Sequence, residues 1–267
     1  MIKTLLATSA VLTCISSAAY ATTISADLSG WTSNTLNNSG SNWTVQPGND
    51  AVVQSTNGNP TVFFDPSGNA QGTALRGTIS VASDGDDDFI GFVLGYQDGE
   101  INSANADFWL FDWKQGNQSG QNAGISLSHV FGDVSGTSSS TGGQWWQHTD
   151  PVFEKAQGAG SFATTGYNDN QEYDFDLIFS ADLIQVKVDG TIVINYTSAQ
   201  NGGQFTDGSF GFYNFSQGGV TYGSLVEDTD PDELPDDPLN PVPLPAGLPL
   251  LLVGLGAFGV MKRRTKG

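Results

Sequence analysis

Asp189-Gly190 joins two alternating runs, 183–188 and 191–196, with no other residue between them. An Asp-Gly pair in that place is the strongest short-range hairpin signal in the chain, because a tight antiparallel turn needs two residues in the left-handed backbone region. Within 183–188 the alternation puts Ile184, Val186 and Val188 on one face and Gln185 and Lys187 on the other. Further short apolar or alternating runs lie at 89–96, 108–113, 125–130, 173–179 and 209–215, separated by clusters of Gly, Asn, Asp and Ser. Between the two ends no stretch of ten or more residues has helical periodicity. Many short strands with frequent turns predict an all-β domain, an antiparallel β-sandwich or jelly roll.

The two ends follow a different pattern. Residues 1–21 open on Lys3, continue in an apolar run and finish on Ala19-Tyr20-Ala21, a small-x-small cleavage site. That order is the order of a secretory signal peptide, a short helix cut after Ala21. Cleavage removes Cys14, the single cysteine, so the remaining chain has no disulfide. At the other end an acidic, Pro-rich stretch at 227–241 precedes Val242-Pro243-Leu244-Pro245-Ala246. An apolar run at 247–261 and the cations Lys262, Arg263, Arg264 and Lys266 follow. The run predicts a hydrophobic helix, short against the ~20 residues that cross a bilayer, with its cations on the cytoplasmic side.

This succession resembles the VPLPA-type C-terminal sorting signal of Gram-negative bacteria, a relative of the PEP-CTERM class. The resemblance implies a membrane-embedded exosortase cutting near Val242, Pro243, Leu244, Pro245 and Ala246. It also implies transient inner-membrane association through the helix, then release to the cell surface or an exopolysaccharide matrix. A permanent C-terminal anchor is the alternative. The expected parts are a signal peptide over 1–21, the β domain over 22–226, a linker over 227–241 and the sorting signal over 242–267.

Removing the ends changes the charge. The whole chain has a formal net charge of −19. Residues 22–241 keep only Arg76, Lys114, Lys155 and Lys187 against all 28 acids, a formal −24. Such a body excludes nucleic acid and anionic membrane surfaces as partners. Asp outnumbers Glu 23 to 5, the bias of oxygen-ligand calcium loops or of a saline habitat.

Three segments carry a second resemblance. Asp86-Asp87-Asp88-Phe89-Ile90-Gly91-Phe92-Val93-Leu94-Gly95-Tyr96-Gln97 is similar to the DDD-aromatic-x-GFVFGYQ segment of the thrombospondin C-terminal domain. Phe108-Trp109-Leu110-Phe111-Asp112-Trp113-Lys114-Gln115 resembles its FYVVMWKQ strand, and Gly211-Phe212-Tyr213-Asn214-Phe215-Ser216-Gln217 its LGLFVFSQ strand. Trp146-Gln147-His148-Thr149 is weakly similar to its LWHT segment. The matches fall in family order over 52–225. They imply a sandwich of the L-type-lectin kind that binds calcium and works in extracellular adhesion. The family's tandem calcium repeats and terminal cysteine are missing, which leaves a lone lectin-like module.

The sequence offers several candidate sites. Asp84, Asp86, Asp87 and Asp88 put four carboxylates in five residues, with only Arg76 as a nearby cation. A hard cation such as Ca²⁺, taking 6–8 oxygens, would neutralise them; a solvated acidic turn is the alternative. Strand alternation predicts Asp86 and Asp88 on one side and Asp87 on the other. Asp107, Asp112 and Asn214 are candidates for completing the ligand set. Trp109 and Trp113 are an even number apart and predict inward, core-forming rings. Trp145 and Trp146 follow a Gly-rich loop and are expected to be exposed, where sugar faces stack on aromatic rings. Glu172, Asp174 and Asp176 alternate as glycosidase carboxylates do, but read better as the polar face of an amphipathic strand. His129 and His148 have no nucleophile elbow beside them. The expected function is a secreted, calcium-supported adhesion or binding module, with carbohydrate or another matrix component as partner and no enzyme activity. A glycoside hydrolase and a ligand-free structural matrix protein are the alternatives.

Overall fold

The Asp189-Gly190 hairpin forms as the alternation predicts. In the computed structural model, which describes residues 23–83, 85–158 and 164–228, β12 (Leu183–Val188) and β13 (Thr191–Thr197) pair antiparallel from Val188 opposite Thr191. Asp189 and Gly190 have φ of 47° and 71°, both left-handed, so the turn twists in the same sense as its strands. Ile184, Val186 and Val188 are buried, and Gln185 and Lys187 face outward.

Two antiparallel sheets pack face to face. The first runs β13, β12, β11 (Glu172–Phe179), β6 (Thr73–Val81), β15 (Val220–Asp228), β4 (Val52–Gln54), β3 (Trp43–Val45), with β1 (Thr23–Ser25) also on β15. The second runs β10 (Phe153–Gly158), β9 (Gly124–Gly132), β8 (Ala106–Lys114), β7 (Phe89–Tyr96), β14 (Ser209–Phe215), β5 (Thr61–Phe64), β2 (Thr32–Thr35). This is the all-β sandwich expected of the lectin-like class. The core between the sheets sets Leu75, Ile79, Phe175, Leu177 and Tyr222 of the first against Phe92, Trp109, Phe111, Trp113 and Phe212 of the second. Trp109 and Trp113 therefore face inward together, as their spacing predicts.

The two sheets treat their outer faces differently. The first leaves its outer face to solvent, and β11 alternates exposed Glu172 and Asp174 with buried Tyr173 and Phe175. The second is covered on both faces. A separate apolar cluster on its outside joins Phe64, Phe89, Phe108 and Phe215 to Val134, Trp145, Trp146 and Val152 of the β9–β10 connection. Every residue of β7 is consequently buried, and its sequence reads as a continuous apolar run rather than an alternation.

Ala21, the motif at Val242, Pro243, Leu244, Pro245 and Ala246, the apolar run that follows it, and Asp84 lie outside the described residues. Among the described residues no helix is long and apolar enough to cross a membrane.

Candidate functional site

The acidic segment enters β7 as irregular chain, so strand alternation does not yet apply to it. Asp86, Asp87 and Asp88 turn the same way, and their carboxylate oxygens lie within 4.8 Å of one another. This corrects the expected split between two sides. The fold also supplies a cation that chain proximity does not show. Lys114, 26 residues on, packs its stem under the cluster with its Nζ 2.6 Å from Asp88 Oδ1 and 3.6 Å from Asp87 Oδ1. It also donates to the Asp87 carbonyl at 3.0 Å. Lys114 is 1% exposed and lies over the rings of Phe89 and Trp146, 5.0 and 4.8 Å from their centroids. Asp88 is fixed further by Gln217, whose Oε1 accepts from its backbone N–H at 3.0 Å.

Three carboxylates and one ammonium leave a formal −2, the charge of one divalent cation. The donor set is oxygen only, which suits Ca²⁺. Gly116 stands against the Asp87 carboxylate with no room for a Cβ. These residues fit a calcium ion held by Asp86 and Asp87, with Asp88 committed to Lys114. The other suggested ligands point elsewhere. Asp107 binds His129 Nε2 at 2.7 Å and accepts from Thr206 Oγ1 at 2.8 Å. Asn214 accepts from the Tyr222 hydroxyl at 3.0 Å inside the core. Asp112 accepts from Ser126 Oγ.

The tryptophan expectation is overturned on exposure. Trp145 and Trp146 sit in α1 (Gln144–Gln147) and are 0% and 2% exposed. The Trp145 N–H donates to Thr137 Oγ1 at 2.8 Å, and its ring meets Phe153 edge-on. A Gly-rich loop precedes them, but the open outer face of the second sheet needs large apolar side chains to cover it. Buried rings present no face to a sugar. Among the described residues no aromatic side chain is exposed.

The outer face of the first sheet holds an open trough of about 400 Å³, where Arg76, Thr78, Asp174, Asp176 and Ser224 stand beside Gly77, Phe175 and Gly190. Register builds it. Asp174 lies opposite Thr78, and Asp176 opposite Arg76 on one side and Lys187 on the other. The Arg76 Nε sits 3.0 Å from Asp176 Oδ1. The sequence marked Asp174 and Asp176 only as part of a polar strand face, because Arg76 and Ser224 belong to strands far away in the chain.

A second, smaller pocket of about 140 Å³ opens on the other sheet. Asp112, Lys114, Gln121, Ser126, His148 and Lys155 contribute its polar groups. All four cations of the described residues thus stand at or beside one of the two hollows. Burial dominates at His148 and holds its imidazole below the ordinary 6.5, against an opposing push from Asp112. Below pH 6.5 the unfolded chain takes up this proton and the folded chain does not, so stability falls as pH falls through that window, by up to about 1.4 kcal/mol per unit. Thermal melts from pH 7.5 to 5.5 should therefore show a shallower acid loss in His148→Gln than in wild type. Equal slopes would contradict the assignment.

The fold and this arrangement define a lectin-like jelly-roll module with an acidic loop at one strand entry. The chain belongs to the thrombospondin C-terminal region family, whose model matches residues 38–229. No curated protein sequence matches it. Among solved structures it is similar to the carbohydrate-binding module CBM66 from Bacillus subtilis, at 12% identity and TM-score 0.50, over 74% of this chain and 95% of that one. A homodimeric agglutinin from chicken liver matches at 11% identity and TM-score 0.40, over 62% and 98%. A glycoside hydrolase family 16 endo-glucanase from Bacteroides ovatus matches at 10% identity and TM-score 0.44, over 75% and 97%.

Proposed function

We propose that this chain is a secreted, calcium-supported binding module that engages carbohydrate through the outer face of its first sheet. The observation that carries the reading is the trough at Arg76, Thr78, Asp174, Asp176 and Ser224. Its ~400 Å³ lies within the range of small-ligand sites, and it offers donors and acceptors side by side, as hydroxyl-rich ligands require. The fold shared with a module named for carbohydrate binding supports this reading. Binding here does not use stacking on tryptophan.

The module binds rather than cleaves. Asp176 is already the partner of Arg76. Glu172 and Asp174 stand in solvent, without the burial that tunes a general acid. A purely structural matrix role would leave the trough without a ligand. The termini fit this reading: a secretory signal at 1–21 and an exosortase-type signal at 242–267 would deliver the module to the cell surface or matrix of a Gram-negative bacterium.

A glycan array with and without chelator tests the proposal. Wild type should capture a restricted set of glycans and Asp174→Ala should lose them. A blank array, or capture indifferent to Asp174→Ala, would remove the trough as the site. Calcium is read separately. Saturating Ca²⁺ at about a hundred times its dissociation constant adds ~2.7 kcal/mol, or roughly 5–10 °C in melting temperature at this size. Identical melts in Ca²⁺ and chelator would sink the calcium assignment and leave the trough untouched.

A further inference from the structure

The charges around the Arg76 trough are sorted by strand register, and one row of them is left uncompensated. Asp176 of β11 stands opposite Arg76 of β6 on one side and Lys187 of β12 on the other. Its carboxylate thus has a cation on each side, and the Arg76 Nε meets it at 3.0 Å. Asp174, two residues earlier on the same face, has neither. Opposite it on β6 is Thr78. On its other side the chain turns at Asp189-Gly190, where the Asp189 N–H donates to the Asp174 carbonyl and the Asp189 Oδ1 accepts from the Asp174 N–H, both at 2.9 Å.

The cross-strand neighbour of Asp174 is therefore a second carboxylate, and like charges so placed repel. Among the described residues neither Asp174 nor Asp189 has an ion-pair partner. Glu172, exposed two residues further back on the same face, adds to the same end. Arg76 and Lys187 set against Glu172, Asp174, Asp176 and Asp189 leave a formal −2, and the Asp176 row holds both cations. The Asp174 end is also the roomy one. Gly190 and Gly77 offer backbone only, and Thr78 and Ser224 each add a hydroxyl.

This distribution discriminates between sugars by charge. An anionic sugar would meet an excess of carboxylate and an Arg76 already engaged by Asp176. A neutral sugar would leave the Asp174 end uncompensated. A metal ion lacks ligands here, since Asp189 Oδ1 is taken by a backbone N–H and, among the described residues, only Asp86, Asp87 and Asp88 gather three metal-binding groups. A sugar ring with an ammonium beside its hydroxyls matches both features. We propose that the trough selects glycans containing unacetylated amino sugars, with Asp174 accepting from the sugar ammonium while Arg76, Thr78 and Ser224 meet the neighbouring hydroxyls. An ammonium–carboxylate contact is a charge-assisted hydrogen bond, the stronger kind. The inference rests on the reading of the trough as the carbohydrate site and adds the charge of the sugar to it.

Calorimetry at pH 6 and low salt tests the charge preference with two probes of one backbone, a glucosamine tetramer and its fully N-acetylated form. The unacetylated tetramer should bind about fivefold tighter, the scale of a solvent-exposed ion pair, and high salt should erase the difference. Asp174→Asn, on an exposed side chain, should bring the two affinities together. Asp98→Asn removes the same charge from the exposed loop after β7 and should leave the preference intact. Equal affinity for the two tetramers, with both lost in Asp174→Ala, would overturn the amino-sugar preference and leave the carbohydrate reading standing. So would capture of other glycans on the array with neither tetramer bound. A preference that survives Asp174→Asn, or that falls as much in Asp98→Asn, would reduce it to the general pull of an acidic surface and overturn it as well. If no glycan binds at all, both readings fall together.

Discussion

Replacing Lys114 with Met should destabilise the protein by roughly 3–5 kcal/mol, a fall in melting temperature on the order of 10 °C. Methionine keeps an apolar chain of similar length but removes the ammonium that lies over the Phe89 and Trp146 rings. The same ammonium stands 2.6 Å from Asp88, which is 3% exposed and would be left buried without its partner. The asymmetry is the point: breaking one half of a buried pair costs far more than exchanging both halves for apolar groups. Lys114→Met combined with Asp88→Leu should therefore recover most of the loss. Calcium provides a cross-check. With the ammonium gone the three carboxylates stand at −3, so Ca²⁺ should raise the melting temperature of Lys114→Met more than that of wild type. A single variant within 1 kcal/mol of wild type would show that this pair does not hold the strand entry.

Trp145→Ala should cost a similar ~3–5 kcal/mol, and glycan capture per folded molecule should not change. The ring is 0% exposed between the outer face of the second sheet and the β9–β10 connection, packed on Phe153 and Tyr213 with its N–H satisfied by Thr137. Truncation removes the largest plug in that cover and leaves a cavity. Urea titration with a glycan array on the same preparation separates the two effects. A stable variant that loses capture would make this ring a ligand surface after all.

Much of the sandwich is legible in the chain, and the reason is local. The run 89–96 coincides with β7, 183–188 with β12 and 209–215 with β14, because in each the side-chain pattern and the flanking turn residues agree. The strands the pattern does not reveal fail for physical reasons too. β1 to β5 are three or four residues long and rich in Thr, Ser and Asn, too short to show a period. β15 is nine residues long, but its register shifts between Gly223 and Val226, and Ser224 has φ 53°. The bulge breaks the alternation that would otherwise mark it. β10 carries a similar shift between Lys155 and Gln157.

The site was legible only in part. Asp86, Asp87 and Asp88 were visible as charges, and their convergence with Lys114 was not. The sequence also presented Trp145-Trp146 as a surface feature because a Gly-rich loop precedes it. Exposure is set by what lies opposite, and opposite lies a sheet face studded with Phe89, Phe108 and Phe215.

By itself the sequence determined the fold class, the Asp-Gly hairpin, the inward faces of β8 and β12, and a body whose acids outnumber its cations seven to one. These depend on periodicity, turn chemistry and charge, which act over a few residues or over the whole chain. The tertiary structure alone decided which carboxylate meets Lys114, which face of each sheet is wet, and that Arg76 meets Asp176 and Asp112 meets His148. Those pairings join residues 26 to 100 positions apart, and strand register fixes them. Register is set by the hydrophobic faces of many strands packing together, and no single segment contains that information.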